Sequence, residues 1–481
     1  MRIAKEKGRS RSYLVGLLGA SALVLAGCNG SEDDSSAAAD IQYNSPAAIA
    51  QVSADNYHDN ENGIITAATL KRWKDDWINE RPAGITGKLV ILQVTEGPTG
   101  YTYIAPNNTA VYTYLVDDWV RTRSNGVVST VSMVLDGPSI DGLLQTYNID
   151  PAKDMIVCAQ GAGSAGNAMA QGRCWYTFRY WGVDAKHLAL LNGDNDSLAT
   201  EPAAPSGHRN DGVVMGATDF AAAASKTPTT PGSFSVKSLK DDNTMLQATL
   251  EDMLNILPST DRNELNDGVF IWDARSDTQY SGGVSTTDGG GVFQNNGSRQ
   301  GHPYGALQLN FTNLLEMADG SFRYKEKAVL ASYLNGEVDG NGKGFRDSSY
   351  QHVGAGSAYQ DGDTIYTYCE TTYRAMITGI ASAVVLGKPT RFYDGAMTEW
   401  NSMSYLQDAT GNYILPIDSP WRTDIKSYYV EAATADVAPR VIDDAYAGSA
   451  NAIVREDRAY KVTDDNADAS GGSAPVANGC G

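Results

Sequence analysis

Cys369 is the residue of this sequence best placed to act as a nucleophile. It follows a strand-like segment, Thr364–Tyr368, and precedes a largely apolar, helix-like stretch at 375–386. A loop between a strand and a helix must curl around the cysteine sulfur, so its backbone N–H groups and the helix N-terminus form a cradle for an anion. Such a cradle stabilises a thiolate or persulfide without a side-chain base. The spacing therefore predicts covalent sulfur chemistry at Cys369.

Other polar groups lie at strand ends and turns of the same half of the chain. In order they are Asp273-Ala274-Arg275, the turn at 301–306 that contains His302, Cys369 with Arg374 five residues later, and Tyr393-Asp394-Gly395. This ordered set, over residues 235–405, resembles the rhodanese (thiosulfate sulfurtransferase) family. The family pattern is an Asp-x-Arg turn, a Gly-His-x-x-Gly-Ala turn, a cysteine with arginine five residues on, and a Tyr-Asp-Gly strand end.

The resemblance implies a role for each matching residue. Cys369 is the catalytic residue. The substrate-binding candidates are the loop residues together with one arginine outside the loop: Glu370, Thr371, Thr372, Tyr373, Arg374 and Arg275. Structural roles near the site are expected for Asp273, His302 and Asp394, and Glu399 is expected to brace the loop. Arg374 could instead pair with a surface carboxylate, and His302 fixes a turn more readily than it transfers protons.

The loop departs from the family in two ways. It lacks the basic residues and the central glycine of many members, and it carries Glu370 and Tyr373. An inward Glu370 would repel thiosulfate, and Tyr373 could narrow the mouth of the pocket. The identity of the sulfur donor therefore stays open.

Short apolar runs alternate with helix-compatible stretches, a pattern typical of α/β domains with parallel sheets. The clearest strands are at 88–94, 155–158, 187–191, 269–272, 364–368 and 390–393. A helix, a glycine, a strand and a glycine turn recur in both halves, at 180–194 and 385–395. We therefore expect an α/β fold of two tandem rhodanese-like domains, each a parallel sheet flanked by helices.

The expected domain boundaries follow from shifts in composition. They are a signal peptide at 1–27, a flexible tether at 28–61, an N-terminal domain at 62–200, a Pro-rich linker at 201–233, a C-terminal domain at 234–412, and an extension with a polar tail at 413–481.

The expected N-terminal domain lacks most of the family motifs. The strand at 155–158 places Ala159 or Cys158 at the nucleophile position, and no arginine lies five residues further on. We expect this domain to be inactive and to wall the pocket, as in tandem rhodaneses. Its Gly161-x-Gly163-x-x-Gly166 segment could suggest a nucleotide site, but this motif alone is weak.

The N-terminus predicts a lipid anchor. Basic residues precede a short apolar run that ends in Leu25-Ala26-Gly27-Cys28, which resembles a bacterial lipoprotein signal with Cys28 as the lipidated residue. The alternative is an ordinary cleaved secretion signal. Asn29 favours the outer membrane, so the expected location is an extracytoplasmic, membrane-anchored lipoprotein.

The charge of the chain restricts its partners. The 57 acidic and 37 basic residues give a formal net charge of -20. This excess argues against nucleic acid and anionic membrane surfaces, since both require clustered Lys and Arg. A small anionic substrate then requires a local positive pocket.

The chain has five cysteines, at positions 28, 158, 174, 369 and 480, and no C-x-x-C motif. Zinc ribbons and haem attachment are therefore unsupported, and we expect neither a metal nor a cofactor. If Cys28 is lipidated and Cys369 is reserved for chemistry, three cysteines remain. A disulfide between Cys158 and Cys174 is favoured over pairing of either with Cys480.

The resemblance implies a sulfurtransferase that moves a sulfane sulfur from thiosulfate or a polysulfide-like donor to a thiophilic acceptor through a cysteine persulfide. One alternative is a non-turnover sulfur or chalcogen carrier, or an accessory lipoprotein of an outer-membrane cytochrome assembly for electron transfer. Rhodanese-like lipoproteins occur beside such cytochromes. A third alternative is an inactive two-domain scaffold.

Overall fold

The computed structural model describes residues 41–125, 129–256, 268–281, 293–294, 298–299, 301–402 and 451–462. Ten strands of this part form two five-stranded sheets. The first sheet contains β1 (Gly63–Ile65), β2 (Leu89–Gln93), β3 (Val111–Leu115), β4 (Met155–Ala159) and β5 (Leu188–Leu191). The second contains β6 (Gln247–Ala248), β7 (Val269–Asp273), β8 (Leu307–Gln308), β9 (Thr364–Tyr368) and β10 (Thr390–Tyr393).

The two sheets have the same topology. The strand order is β1-β5-β4-β2-β3 in the first and β6-β10-β9-β7-β8 in the second, and every neighbouring pair is parallel. Each strand of the N-terminal half, which is built on the first sheet, thus has a counterpart in the C-terminal half, built on the second. The predicted α/β class with parallel sheets is confirmed.

Helices connect and flank the strands. They are α1 (Pro46–Ile49), α2 (Ala67–Asp75), α3 (Trp77–Glu80), α4 (Gly137–Thr146), α5 (Ala165–Tyr180), α6 (Asn195–Thr200), α7 (Leu250–Ile256), α8 (Asp277–Ser281), α9 (Lys327–Leu334), α10 (Tyr373–Ile380), α11 (Ala396–Ser402) and α12 (Ala452–Val462). A π-helical turn, Ala381–Val385, continues α10, and Gly387 follows with a φ of +65°, as expected for a residue that ends a helix.

Paired short strands lie outside the two sheets. The first hairpin is Arg121–Ser124 with Ser129–Met133, and the second hairpin is Leu315–Glu316 with Arg323–Tyr324. The other pairs are Gln42–Tyr43 with Asp241–Asp242, Tyr103–Ile104 with Phe220–Ala221, and Phe293–Gln294 with Ser298–Arg299.

All six strands expected from the sequence are present, with ends shifted by at most one residue. They are the strands that lie inside the sheets and are covered on both faces, and most of them are strongly apolar. The strands that the sequence did not reveal are β1, β3, β6 and β8. Each lies at a sheet edge, and they are either two or three residues long or, in β3, interrupted by polar positions.

Within the described residues the hydrophobic core has three parts, of which the largest lies between the sheets and is shared by both halves. It includes Val90 of β2 and Phe270 of β7. A separate cluster covers the other face of each sheet. Helices α5 and α10 pack against one another within the shared core, where a Cβ atom at Gly172 would lie 2.6 Å from Cβ of Met376. Only glycine therefore permits this close approach.

Part of the expected tether is packed rather than free. Gln42–Tyr43 pairs in parallel with the strand Asp241–Asp242, Ile49 is buried, and the N–H of Gln51 donates to the carbonyl of Ala383 at 2.9 Å. The tether prediction was thus wrong for this segment, because its few apolar residues and its backbone find partners in both halves. The expected linker also packs on the N-terminal half, since the N–H of Ser225 donates to the carbonyl of Thr113 at 2.8 Å.

Helix α12 lies within the expected C-terminal extension and packs on the N-terminal half. Asp457 accepts two hydrogen bonds from the Arg123 guanidinium, at 2.7 and 2.8 Å, and a third from the Tyr180 hydroxyl at 2.7 Å. All three residues are buried. The extension was not predicted to contain such an element, because most of its contacts are polar and their partners lie far away in the sequence.

The predicted disulfide between Cys158 of β4 and Cys174 of α5 is confirmed, with the two Cα atoms 6.0 Å apart. Residues 1–40, with the predicted lipidation site Cys28, lie outside the described part, as do the polar tail and Cys480, and the predictions about them remain predictions. No described helix combines the length and the apolar character needed to cross a membrane.

The disulfide gives a prediction for stability. In Cys158→Ala/Cys174→Ala the unfolded chain is no longer cross-linked between these two positions, so it gains conformational entropy. The free energy of unfolding should therefore fall by about 3 kcal/mol, the value expected for a closed segment of this length. Denaturant titration measures the loss. Dithiothreitol should destabilise the wild-type chain and leave the double variant unaffected. A non-reducing peptide map that joins either cysteine to Cys480 would contradict the pairing.

Candidate active site

Cys369 lies at the carboxyl end of β9, in the centre of the second sheet. The carboxyl edge of a parallel sheet is where α/β proteins assemble their sites, because the connecting loops converge there. The side chain is fully buried, and Cys369 is the free cysteine of the described part of the chain. Cys369 thus lies directly after the strand Thr364–Tyr368, as expected from the sequence.

The start of the loop is held by helix α11. The N–H of Met397 donates to the carbonyl of Cys369 at 3.2 Å. The carbonyl of Glu370 accepts from both the N–H and the hydroxyl of Thr398, at 3.2 and 2.7 Å. These bonds fix the carbonyl groups of Cys369 and Glu370, the first two residues of the loop.

The later N–H groups of the loop are left available. In the part of the chain that the structure describes, the backbone N–H groups of Thr371, Thr372, Tyr373 and Arg374 have no protein acceptor. The last two open α10, where helical geometry itself provides none. Together with the helix dipole, these donors favour negative charge at the loop, as the sequence predicted.

Thr372, predicted to bind substrate, lies near the middle of the loop, which lacks a central glycine. Its φ of +60° is left-handed, which is costly for a β-branched residue. The hydroxyl compensates, because Oγ1 lies 2.7 Å from the carbonyl oxygen of Tyr393 and 2.9 Å from that of Asp394. The threonine thus joins the active loop to the end of β10, which a glycine could not do.

Arg275 lies beneath the loop and is fully buried. Its Nε and Nη2 donate to the two carboxylate oxygens of Asp273 at 2.9 and 2.6 Å, and Nη1 lies 3.6 Å from the Glu370 carboxylate. Tyr368 donates its hydroxyl to Asp273 at 2.7 Å. Burial alone would lower the pKa of Arg275, but the adjacent Asp273 raises it above its ordinary value. Two carboxylates already accompany this arginine, so its position favours bracing the loop over binding a donor.

Two predicted substrate-binding residues occupy different environments. Glu370 is buried and faces Arg275, so its charge points into the protein. Arg374, at the far end of the loop, is half-buried and donates from Nη1 to the Gln279 side chain. Arg374 is thus the loop cation nearest to solvent.

His302 is held at both ring nitrogens. Nδ1 donates to the carbonyl of Tyr280 at 2.7 Å, which leaves Nε2 to accept from the Ser348 hydroxyl at 2.8 Å. The ring also stacks on the Tyr280 ring, with centroids 3.7 Å apart. These contacts fit the expected role in fixing the turn.

Asp394, at the end of β10, pairs with a residue of the other half. Its Oδ1 lies 2.6 Å from Nη1 of Arg173 on α5, and both side chains are fully buried. Its Oδ2 accepts the N–H of Val134, just after the first hairpin, at 2.8 Å. The N-terminal half thus reaches the active loop through a buried ion pair and a backbone hydrogen bond.

The sequence analysis missed Arg173. Helix α5 is buried on nearly every face, and a charged residue in such a helix requires a partner of opposite charge. That rule could have singled out Arg173 from its apolar surroundings. It could not have identified Asp394, which lies 221 positions later.

Strand pairing corrects the predicted nucleophile position of the N-terminal half. Gln93 of β2 pairs with Ala159, just as Asp273 of β7 pairs with Tyr368. The residue equivalent to Cys369 is therefore Gln160, and neither Ala159 nor Cys158. Gln160 is buried and donates to the carbonyl of Phe322 at 3.3 Å.

The halves contact one another reciprocally through the two hairpins. As Val134 donates to Asp394, Tyr324 of the second hairpin donates its N–H to the side chain of Asn192 at 2.8 Å. Asn192 follows β5 as Asp394 follows β10. The two halves differ chemically at this position: the C-terminal half has the carboxylate of Asp394, and the N-terminal half has the amide of Asn192.

Glu399 of α11 is buried and accepts a hydrogen bond from Asn125 of the N-terminal half at 2.6 Å. Burial raises the pKa of Glu399 to about 7, with a further contribution from the charge of Asp394. The same helix holds the start of the loop, so this carboxyl acts on the site through α11.

Among the described residues no group of His, Cys, Asp and Glu side chains could hold a metal ion.

No family model matches the chain, and no curated protein sequence matches it. Solved structures that are similar in fold include the Tum1 protein of Saccharomyces cerevisiae, with 13% identity over 71% of this chain and 95% of that chain and a TM-score of 0.43. SseA of Escherichia coli, a 3-mercaptopyruvate sulfotransferase with the rhodanese fold, shows 14% identity over 70% of this chain and 98% of that chain, with a TM-score of 0.40. An anaerobic ergothioneine biosynthesis enzyme of Chlorobium limicola shows 13% identity over 75% and 72%, with a TM-score of 0.45.

The raised pKa of Glu399 gives a prediction for stability against pH. The folded state holds this proton more tightly than the unfolded state, whose pKa is near 4.5. The stabilisation that comes from this proton is therefore fully present below pH 4.5 and is lost as the pH rises toward about 7. Glu399→Gln cannot ionise, so it should not show this loss, which is on the order of 3 kcal/mol. The free energy of unfolding of the variant should therefore rise relative to that of the wild type between pH 5 and pH 8.

Denaturant unfolding at both pH values measures the effect, with the exposed Glu337→Gln as the matched control. If the free energies of unfolding of the wild type and Glu399→Gln depend on pH in the same way, the carboxyl is ionised over this whole pH range and the prediction is wrong.

Proposed function

We propose that the protein is a sulfurtransferase in which Cys369 carries the transferred sulfur. One observation carries the proposal: Cys369 ends the central strand of a parallel sheet, and the N–H groups of the loop after it have no acceptor in the described protein. Backbone donors in this arrangement favour a thiolate and, after reaction, the negative charge of a persulfide.

The reaction consists of two displacements at sulfur. The Cys369 thiolate attacks the outer sulfur of thiosulfate; a new S–S bond forms, the old one breaks, and sulfite leaves with the electron pair. A thiophilic acceptor such as cyanide then attacks the outer sulfur of the persulfide, forms thiocyanate and releases the thiolate. The sequence consumes no external oxidant or reductant, and it is covalent catalysis by a cysteine nucleophile.

The donor class follows from charge. The chain is strongly acidic overall, so attraction of an anionic donor depends on local cations and N–H groups. Arg374 is the half-buried cation at the end of the loop, and we assign it to the donor. Glu370 opposes this attraction only in part, because Arg275 lies 3.6 Å from its carboxylate.

A second function deserves a test because Cys369 is fully buried. A sheltered persulfide suits a carrier that holds sulfur for a protein partner and does not turn over with small acceptors. Multiple turnovers with cyanide would favour the enzyme, and a single stoichiometric transfer would favour the carrier. The predicted membrane-anchored, outer-membrane location and the cytochrome assembly remain predictions.

The first test replaces the nucleophile. Cys369→Ala should abolish sulfur transfer from thiosulfate to cyanide, since no other described cysteine has a free thiol. The substitution removes a single buried sulfur atom, so the midpoint of thermal unfolding should shift by no more than about 3 °C. Thiocyanate formation at the wild-type rate by the variant would contradict the assignment.

The second test concerns the charge of the loop. Glu370→Gln removes a negative charge near the bound donor and should lower the Michaelis constant for thiosulfate several-fold, that is by about 1 kcal/mol. Because the carboxylate is buried, the effect should be nearly equal at low and high ionic strength. Exposed Glu337→Gln is the control. An effect that vanishes in high salt would place the Glu370 carboxylate in solvent.

A further inference from the structure

Arg173 contacts the active loop although it belongs to the N-terminal half. Its Nη2 lies 3.3 Å from the carbonyl oxygen of Thr371 and also donates to the carbonyl of Ser132 in the first hairpin. Its Nη1 pairs with Asp394 at 2.6 Å. One guanidinium therefore joins α5, the first hairpin, the middle of the loop and the end of β10.

The same side chain also faces an aromatic residue of the loop. The guanidinium carbon lies 5.4 Å from the ring centroid of Tyr373, the first residue of α10, and 5.7 Å from that of Tyr176 on its own helix. A planar cation is attracted to both ring faces at such distances. Arg173 thus holds the loop at its carbonyl group and at the start of its helix.

Arg173 acts a second time through its ion-pair partner. The backbone carbonyl of Asp394 is one of the two groups that anchor the Thr372 hydroxyl. Thr372 has the left-handed conformation that turns the loop, and this conformation persists only when its surroundings hold it. The position of Asp394, and with it the turn at Thr372, depends on its buried cation.

We assign Arg173 no direct contact with the donor, since its guanidinium is occupied by Asp394 and the carbonyls of Ser132 and Thr371. The groups that it holds carry the N–H donors that the reaction requires. Small displacements of such donors weaken transition-state stabilisation much more than they weaken binding.

We propose that Arg173 is a positioning residue for sulfur transfer, through which the N-terminal half fixes the loop N–H groups around the sulfur of Cys369. This inference rests on the proposed sulfurtransferase function. It assigns to the N-terminal half, whose own nucleophile position is Gln160, a direct part in setting the rate at the other half.

The decisive variant is the double substitution Arg173→Met/Asp394→Asn in the full-length chain. It removes both buried charges, so neither is left uncompensated. We expect it to fold and to reduce kcat for transfer from thiosulfate to cyanide at least about tenfold, with the Michaelis constant for thiosulfate changed less than about twofold. A double variant with wild-type kcat would overturn the proposal.

Arg173→Lys keeps the charge, so it is informative even where the double variant fails to fold. A lysine can still pair with Asp394, but it cannot also reach Thr371 and has no planar face for Tyr373. We expect kcat between those of the wild type and the double variant. Wild-type kcat in Arg173→Lys would likewise overturn the proposal.

Arg179→Met is the matched control, because Arg179 lies on the same helix, is buried, and donates to the carbonyls of Val183 and Ile49, not to the loop. It should lower the unfolding midpoint and leave kcat unchanged. A kcat loss in Arg179→Met equal to that of the double variant would reduce Arg173 to a general role in stability and contradict the proposal. Absence of transfer by the wild-type chain would instead refute the sulfurtransferase function itself.

Discussion

The close packing of α5 on α10 is the constraint on which the site depends. The two helices meet at Gly172, where there is no room for a side chain against Met376. This contact merges the inner faces of both sheets into one core. It also brings the residue after Gly172, the buried Arg173, to the loop that precedes α10. A larger residue at position 172 would therefore separate the halves and withdraw the cation from Asp394.

The two halves have one architecture and different chemistry. Each has five parallel strands in the same order, and each receives a backbone N–H from a hairpin of the other half at the residue after its fifth strand. In the N-terminal half that residue is Asn192, and the nucleophile position holds Gln160. In the C-terminal half the same positions hold Asp394 and Cys369. Asp394 thus adds a buried charge near the cysteine, where it requires the compensating charge of Arg173 and fixes geometry.

The sequence predicted well what depends on local order. Strands β4 and β5 are apolar because they are covered on both faces, and the placement of Cys369 followed from the strand before it and the helix after it. The absence of a central glycine from the loop was noticed in the sequence, but the role of Thr372 there could not be predicted. Its hydroxyl contacts the end of β10, which only the folded sheet brings near.

What the sequence could not predict depends on contacts between distant segments. Asp394 was expected near the site from its Tyr-Asp-Gly motif, but nothing in the local sequence marks Arg173 as its partner, and no periodicity links the two residues. The register error at Gln160 has a similar cause, since a glycine-rich loop offers no anchor for alignment and only strand pairing settles the position. The packed segment 42–61 and helix α12 were missed because their partners, Ala383 and Arg123 among them, lie far away in the chain.

The central claim is that Cys369 carries sulfur, and peptide-level mass spectrometry tests it most directly. The purified protein is incubated with thiosulfate, alkylated without reductant, digested and compared with an untreated sample. The account predicts the mass of one additional sulfur atom on the peptide that contains Cys369, and its loss after cyanide is added. A Cys369 peptide that gains no sulfur, or that is found joined to another cysteine, would contradict the account.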